Sequence, residues 1–434
     1  MLGMVTLLIM LGAQTSLLVC RIVKKDRLTR LTHIAHIAVF SVFSLLLVAG
    51  VYWWGFRWAG VFLLLAAWAV LGAAYFLRPK RQEKAYRPAH AVRAFVGGSV
   101  LLVLVSLPGV VFPQFVPVTP TGSFAVKSTV YTYVDSSRIN PFAGSNENRR
   151  VTVQFWYPDV PDGTETFPLV VFSPGAFGYR DTNHSTFLDL ASNGYVVCGI
   201  DHPYHALVSR HANGSVTPVD MNYLNDAFKV TNDEYDARKT YDITHEWLTL
   251  RTDDMNFVLN EILQSAKAEN PEKVYSLIDP GEIGLFGHSL GGATAAAVGR
   301  ARGDVDAVMV LDGTMFGEEA GFENGRAFLD RTPYPVPLLN LYSESHYADA
   351  LSSGTDYGNL SAAASAPEAW NVVIRGAGHL NFTDLPLFSP LLARMLGTGP
   401  VDSRTCIETM NRIALDYFNY ELKHSEALNM RAEY

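Results

Sequence analysis

Gly287-His288-Ser289-Leu290-Gly291 is a G-x-S-x-G pattern with a further glycine, Gly292, directly behind it. An apolar run from Ile283 to Phe286 leads in, and a small-residue, helix-prone run from Ala293 to Val298 leads out. Strand before and helix after is the setting in which such a serine occupies a strained turn, its hydroxyl projecting alone. Gly287 and Gly291 lack a Cβ, so neighbouring backbone can pass close to that turn. The following helix aims its N-terminal N–H groups at the place where an oxyanion would form. Ser289 is therefore the candidate nucleophile. A serine hydroxyl attacks poorly until a base takes its proton, and the base needs a carboxylate to hold its tautomer. His379, in the glycine-rich run Gly376-Ala377-Gly378-His379 after the last predicted strand, is the candidate base. His346 sits too early in the chain and too near Glu344 for that task. Two carboxylates compete for the third role. Asp312 ends the strand after the serine's helix, 23 residues beyond Ser289, and Glu344 ends the strand after that. Asp384, beyond the histidine, reads as a supporting or capping residue.

These groups need a sheet whose strands end on one rim. Phe124 to Val134 and Arg150 to Tyr157 alternate like antiparallel strands, with Asp135 to Asn148 as the turn between them. Phe167 to Phe172 predicts a buried strand ending in the loop Ser173 to Gly178, and Phe187 to Asn193 a short helix. Tyr195 to Ile200 predicts the next strand, which runs into Asp201-His202-Pro203-Tyr204-His205. One His-x-x-His on a loop, with no helix to fix it, is a weak metal signal, so His202 reads as lining or backing the pocket. Residues 206–240 form an insertion too long for an ordinary connection, a candidate lid. Thr240 to Gln264 has helical period, with Arg251, Asp253 and Asp254 expected on its solvated or capping face. Further strands are predicted at Asp306 to Leu311, Val336 to Tyr342 and Asn371 to Ile374, and a covering helix at Arg404 to Leu422. Such alternation predicts an α/β fold, a mainly parallel sheet covered on both faces. Ligands in such folds bind beyond the carboxyl ends of the strands, where Ser289, Asp312 and His379 all fall.

The first quarter of the chain differs in kind. Met1 to Cys20, Ile34 to Trp53, Ala59 to Leu77 and Ala94 to Phe112 are each close to the ~20 residues that cross a hydrocarbon core. The first lacks a basic lead and a small-residue cleavage site, so it reads as an uncleaved helix. Arg21, Lys24, Lys25, Arg27 and Arg30 separate spans one and two. Arg78, Lys80, Arg81, Lys84 and Arg87 separate spans three and four. The positive-inside rule assigns both basic loops to the cytoplasm, which puts everything after span four outside. The predicted organisation is a bundle of four transmembrane helices at 1–113, a linker at 114–123 and a catalytic domain at 124–434, anchored as a multi-pass protein in the plasma membrane. The spans hold no carboxylate and no paired charge, so they read as an anchor rather than a transport path.

Residues 1–120 contain twelve of the 34 Lys and Arg but two of the 42 Asp and Glu. That leaves 22 basic and 40 acidic residues in 121–434, a formal charge of −18. So acidic a domain argues against nucleic acid as a partner. Cys20, Cys198 and Cys406 have no CxxC spacing, hence no metal-site or disulfide-framework signal, although one Cys198–Cys406 bridge stays open.

Several segments together carry a resemblance: Arg149-Arg-Val-Thr-Val-Gln-Phe-Trp-Tyr-Pro158, Leu169-Val-Val-Phe-Ser-Pro-Gly175, Gly287-His-Ser-Leu-Gly-Gly-Ala-Thr294, Leu311-Asp-Gly-Thr-Met315, Ser343-Glu344 and Gly378-His-Leu-Asn-Phe-Thr-Asp384. Over roughly 121–425 the chain resembles the platelet-activating-factor acetylhydrolase type of serine esterase, within the α/β hydrolases. The resemblance implies Ser289 as nucleophile, Asp312 as acid and His379 as base. It also implies the backbone N–H groups of Ala176 and Leu290 as the oxyanion hole. Separately from the resemblance, Phe177, His202 and His288 are candidate pocket residues. The chain departs from the family at Ser173-Pro174, where a Ser-His-Gly opening is frequent. The membrane segments lie outside the resemblance. The expected substrate is a lipid or small-molecule ester, most directly a phospholipid with a short or oxidised sn-2 acyl group, hydrolysed without metal or organic cofactor. The alternatives are a general carboxylesterase, a lactone or polyester hydrolase, and a non-catalytic membrane receptor module on the same scaffold.

Overall fold

In the computed structural model, which describes residues 2–77, 85–144, 146–161, 165–425, 427–428 and 430–434, the four apolar stretches are helices: α1 (Leu2–Lys24), α2 (Thr29–Val48), α3 (Phe56–Leu77) and α4 (Pro88–Val111). Each is long and apolar enough to cross a membrane. The second helix runs from Thr29 to Val48 rather than Ile34 to Trp53, because Gly50 turns left-handed (φ 73°) and leaves Trp53 and Trp54 in the following turn. Pro88 occupies the first turn of α4, where its missing N–H costs nothing. A Cβ on Gly3 would lie 2.0 Å from the Gly109 carbonyl oxygen, so α1 and α4 meet backbone to backbone. Phe43, Trp58, Val61, Leu65 and Leu102 form the buried centre of this bundle. Of the second basic loop, Arg78, Lys80, Arg81 and Lys84 lie outside the described residues.

The chain divides into two units, Met1–Val116 with Leu387–Leu392, and Pro117–Pro386 with Ala393–Tyr434. The second is built on strands β1 (Val126–Ile139), β2 (Asn148–Pro158), β3 (Phe167–Ser173), β4 (Val196–Ile200), β5 (Val208–Arg210), β6 (Val216–Pro218), β7 (Ile278–His288), β8 (Ala307–Leu311), β9 (Glu319–Glu323), β10 (Arg326–Leu329), β11 (Leu338–Ser343) and β12 (Ala369–Ile374). Eight of them make one sheet in the order β1-β2-β4-β3-β7-β8-β11-β12. The pairs β1/β2 and β2/β4 are antiparallel and every other neighbour in the sheet is parallel.

Alternation along the strands explains why the sheet is covered twice. On β3 and β7, Leu169, Val171, Ile283 and Leu285 face a core shared with Met255, Val258, Leu259 and Ile262 of α7 (Ala237–Ala266). That helix follows α5 (His184–Ser192) and α6 (Met221–Thr231) in the chain. Phe172 and Phe286 point the other way, against Phe187 of α5 (rings 5.0 Å apart) and Phe418 of the C-terminal helix Ser403–Leu422 (6.0 Å). Fully burying one such side chain stabilises the fold by about 1.5–3 kcal/mol.

The candidate lid, 206–240, is an ordered hairpin (β5/β6), then α6, then the first turn of α7. Asp220 and Asp236 cap the two helices through their side chains. The last residues of the predicted linker are held in place, with Thr121 N and Oγ1 donating to Asp189 Oδ1 at 2.6 and 2.8 Å. The hairpin β9/β10 has no clear alternation in sequence and appears only in the fold.

Candidate active site

Ser289 stands between β7 and the helix that follows the short turn α8 (Lys273–Ser276) in the chain, α9 (Leu290–Ala301). Its backbone takes φ 55° and ψ −124°, a conformation that side chains adopt only when the surroundings impose it. Two close approaches impose it. A Cβ on Gly287 would lie 2.1 Å from the Gly291 carbonyl oxygen, and one on Gly291 would lie 2.0 Å from the Ser173 oxygen. Leu290, the first helical residue, keeps a backbone N–H that no helix carbonyl can reach.

Asp312 follows β8 with φ 47° and has a side chain 1 % exposed. Its Oδ2 accepts from His379 Nδ1 at 2.8 Å, and its Oδ1 accepts from the Ser343 N–H at 2.6 Å and His346 Nδ1 at 2.9 Å. Burial alone would raise this carboxyl, but the hydrogen bonds and charges of His346 and His379 outweigh it and hold the group well below the ordinary carboxylate range. His379 follows Gly376 and Gly378, and its side chain is 44 % exposed. Ser289, Asp312 and His379 border a common cavity of about 420 Å³, together with Ala176, Phe177 and Leu290. Among the described residues the Ser289 hydroxyl has no hydrogen-bond partner. Catalytic hydrogen bonds of unliganded sites are often long and tighten only around substrate.

The loop that carries Ala176 is held from behind by charges that the sequence had placed in solvent. Arg251 and Asp254 are both 0 % exposed, so the expectation of a solvated face of α7 is wrong for them; only Asp253 is exposed. Arg251 donates from Nη1 to the Pro174 carbonyl at 2.6 Å and from Nη2 to that of Gly175 at 3.2 Å. Asp254 is held bidentately by Arg149 at 3.0 and 2.6 Å and accepts from His202 Nδ1 at 3.1 Å. Burial would raise Asp254, but the Arg149 charge and its hydrogen bonds hold it far below the usual range. Removing one partner of so buried a pair strands the other charge, a cost of roughly 3–5 kcal/mol.

Two pocket residues therefore move to a supporting role. His202 is fully buried and does not border the cavity: burial first of all pushes it down to about 4, and its Nε2 pairs with Ser173 Oγ at 2.9 Å. His288 also lies behind the site, pushed down to about 3 chiefly by burial, with Nε2 donating to the His379 carbonyl at 2.9 Å. His205 stacks on Tyr223, ring centroids 3.9 Å apart, so its side chain is engaged in packing. Glu344, the alternative acid, is turned away: it accepts from Arg375 at 2.8 Å and from the Gly376 N–H at 3.0 Å, steadying the loop before His379. Asp384 is half-buried and accepts from the Ser185 N–H at 2.7 Å, its carboxyl pushed up to about 6 chiefly by desolvation. Cys198 and Cys406 are separate buried thiols. His346 is the site residue that sequence reasoning set aside.

A family model described as platelet-activating factor acetylhydrolase, isoform II, matches residues 153–431. The chain belongs to that family. The matched segment starts within β2, contains Ser289, Asp312 and His379, and leaves out α1 to α4. Within the family, the chain is 23% identical over 270 residues to the platelet-activating factor acetylhydrolase of Bos taurus, covering 59% of this chain and 58% of that protein. It is 24% identical over 224 residues to a probable 1-alkyl-2-acetylglycerophosphocholine esterase of Arthroderma benhamiae, covering 50% of this chain and 49% of that protein. The chain thus spans 58% and 49% of the length of these two relatives. Among solved structures, a ferulic acid esterase from Streptomyces cinnamoneus superposes with a TM-score of 0.55 at 22% identity, over 72% of this chain and 95% of that one. That likeness establishes the α/β-hydrolase fold.

Proposed function

We propose that this chain is a membrane-anchored serine esterase that removes short or oxidised sn-2 acyl groups from phospholipids. The observation that carries the reading is the Asp312–His379 hydrogen bond at 2.8 Å beside a cavity that Ser289 also borders. Ser289 Oγ attacks the ester carbonyl and passes its proton to His379 Nε2, while Asp312 holds the Nδ1–H and the imidazolium that forms. The N–H groups of Ala176 and Leu290 receive the developing oxyanion. His379 then gives the proton to the departing glycerol oxygen, leaving an acyl-Ser289. Water, deprotonated by the same imidazole, releases the acid and restores the hydroxyl. Membership of the acetylhydrolase family and the names of the relatives support the phospholipid ester as substrate. A cavity of about 420 Å³ suits a short acyl group better than a full-length chain. Full-length protein in detergent should cleave sn-2-acetyl phosphatidylcholine at least about 10²-fold faster, in kcat/KM, than the long-chain lipid. It should do so in the presence of a calcium chelator. Equal rates on both lipids would remove the short-acyl reading.

The second part of the proposal is topological. Arg21, Lys24, Lys25, Arg27 and Arg30 on one side, and Arg78, Lys80, Arg81, Lys84 and Arg87 on the other, support two cytoplasmic loops and an extracytoplasmic esterase at the plasma membrane. Protease added to intact cells should then degrade the 124–434 portion, and full protection of that portion would reverse the orientation.

A further inference from the structure

Asp312 serves two imidazoles. His346 lies in the first turn of α10 (Glu344–Ser353), directly after β11, and its ring borders the cavity opposite His379 on the same carboxylate. Its Nε2 meets the Tyr357 hydroxyl, which lies 2.9 Å from Thr314 Oγ1. Tyr357 itself precedes α11 (Gly358–Ser365). An ionised carboxylate only accepts, so both Nδ1 atoms facing Asp312 must carry hydrogen. A neutral His346 then has an acceptor at Nε2, which takes the Tyr357 O–H, and the Tyr357 oxygen takes the Thr314 O–H. Donation runs one way along the whole line, from Thr314 to Asp312. Other groups among the described residues also lie around the pair. Tyr342 packs edge-on against His346 at 5.2 Å, Asp349 borders the cavity, and His288 lies against His379 at 4.6 Å. Glu344, on the same helix, faces Arg375 instead.

We infer that His346 is a positioning residue for the hydrolysis: with Tyr357, and alongside the Ser343 N–H, it helps to fix the Asp312 carboxylate toward His379, and by drawing on the same negative charge it limits how tightly His379 holds a proton. The inference rests on the Ser289–His379–Asp312 reading above. The Ser343 N–H already holds Oδ1 at 2.6 Å, and His346 adds a second donor to that oxygen from a different direction, which restrains the carboxylate plane further. Removing the His346 donor at Oδ1, with the Ser343 N–H still in place, leaves more charge for Oδ2 to offer His379, so the protonated imidazole gains. The base then picks up its proton at higher pH, and the acidic limb of the kcat/KM profile moves upward.

The test is the pH profile of full-length protein in detergent on a short p-nitrophenyl ester, for wild type, His346→Phe, His346→Asn and Tyr357→Phe. His346→Phe keeps a ring and loses both hydrogen bonds. We expect its kcat to fall about tenfold and its acidic limb to rise by about half to one pH unit, the worth of one net hydrogen bond. His346→Asn retains a neutral donor toward Oδ1 and should return the limb to within about 0.2 unit of wild type, a rescue that mere packing would not give. Tyr357→Phe, which frees Nε2 alone, should shift it in the same direction by less. Fluorophosphonate labelling of Ser289 reports whether each variant is folded. An unmoved limb in labelled His346→Phe overturns this inference and leaves the triad standing. If that variant does not fold, equal limbs in Tyr357→Phe and wild type overturn it. Activity surviving in Ser289→Ala overturns both readings.

Discussion

Ser289→Ala should lower kcat/KM by about 10⁵-fold or more and abolish labelling by a fluorophosphonate, while the protein remains folded. The size follows from what is removed. On the proposed mechanism, removing the hydroxyl leaves His379 no atom to activate, and the N–H groups of Ala176 and Leu290 proposed for the oxyanion are left to act on water alone. The variant should stay folded because the hydroxyl has no hydrogen-bond partner among the described residues, so its removal costs within about 0.5 kcal/mol. The strained turn (φ 55°) is held by the approaches at Gly287 and Gly291, not by the serine side chain. Labelling and turnover on sn-2-acetyl phosphatidylcholine, measured together with the unfolding temperature, check the three parts. Turnover in the folded variant comparable with wild type would exclude Ser289 as the nucleophile.

How far the chain could be read alone depends on whether a feature is local. The turn at Ser289 was legible because its glycines, its strand and its helix are consecutive, and hydropathy marked the four long helices in the same way. The rim position of Asp312 and His379 followed from each standing just beyond a strand, β8 and β12 respectively. The buried charges were illegible for the opposite reason. Arg251 and Asp254 alternate with apolar residues in a helical period that ordinarily marks a solvated face, and the partners that neutralise Asp254, Arg138 of β1 and Arg149 of β2, lie more than 100 residues away, Arg149 by 105. In sequence, His346 stands early for the base and close to Glu344. On a helix, however, residues two apart point about 200° apart. Glu344 accordingly turns to Arg375 while His346 turns to Asp312. Proximity along the chain does not show that His346 shares the Asp312 carboxylate, because α10 separates it from Glu344.

The same rim decides what Asp312→Asn should do. Asparagine offers one acceptor oxygen and one NH2 group where aspartate offers two acceptors. The Ser343 N–H, 2.6 Å from Oδ1, belongs to the backbone and cannot turn away, and His346 approaches the same oxygen. The amide must therefore present its oxygen there and its NH2 to His379. Nδ1 of His379 then has to accept, which moves the ring proton to Nε2 and leaves no lone pair for the Ser289 proton. We expect kcat to fall about 10⁴-fold with KM changed by less than about threefold, the signature of a wrong tautomer in a site whose shape is kept. Glu344→Gln is the control. Its carboxylate is 50 % exposed and, among the described residues, meets Arg375 and the Gly376 N–H, both of which an amide oxygen can still satisfy in part. That variant should retain activity within about threefold. Steady-state kinetics on one short ester decides between the two carboxylates. A larger loss in Glu344→Gln than in Asp312→Asn would transfer the acid's role, and the 2.8 Å contact with His379 would need another explanation.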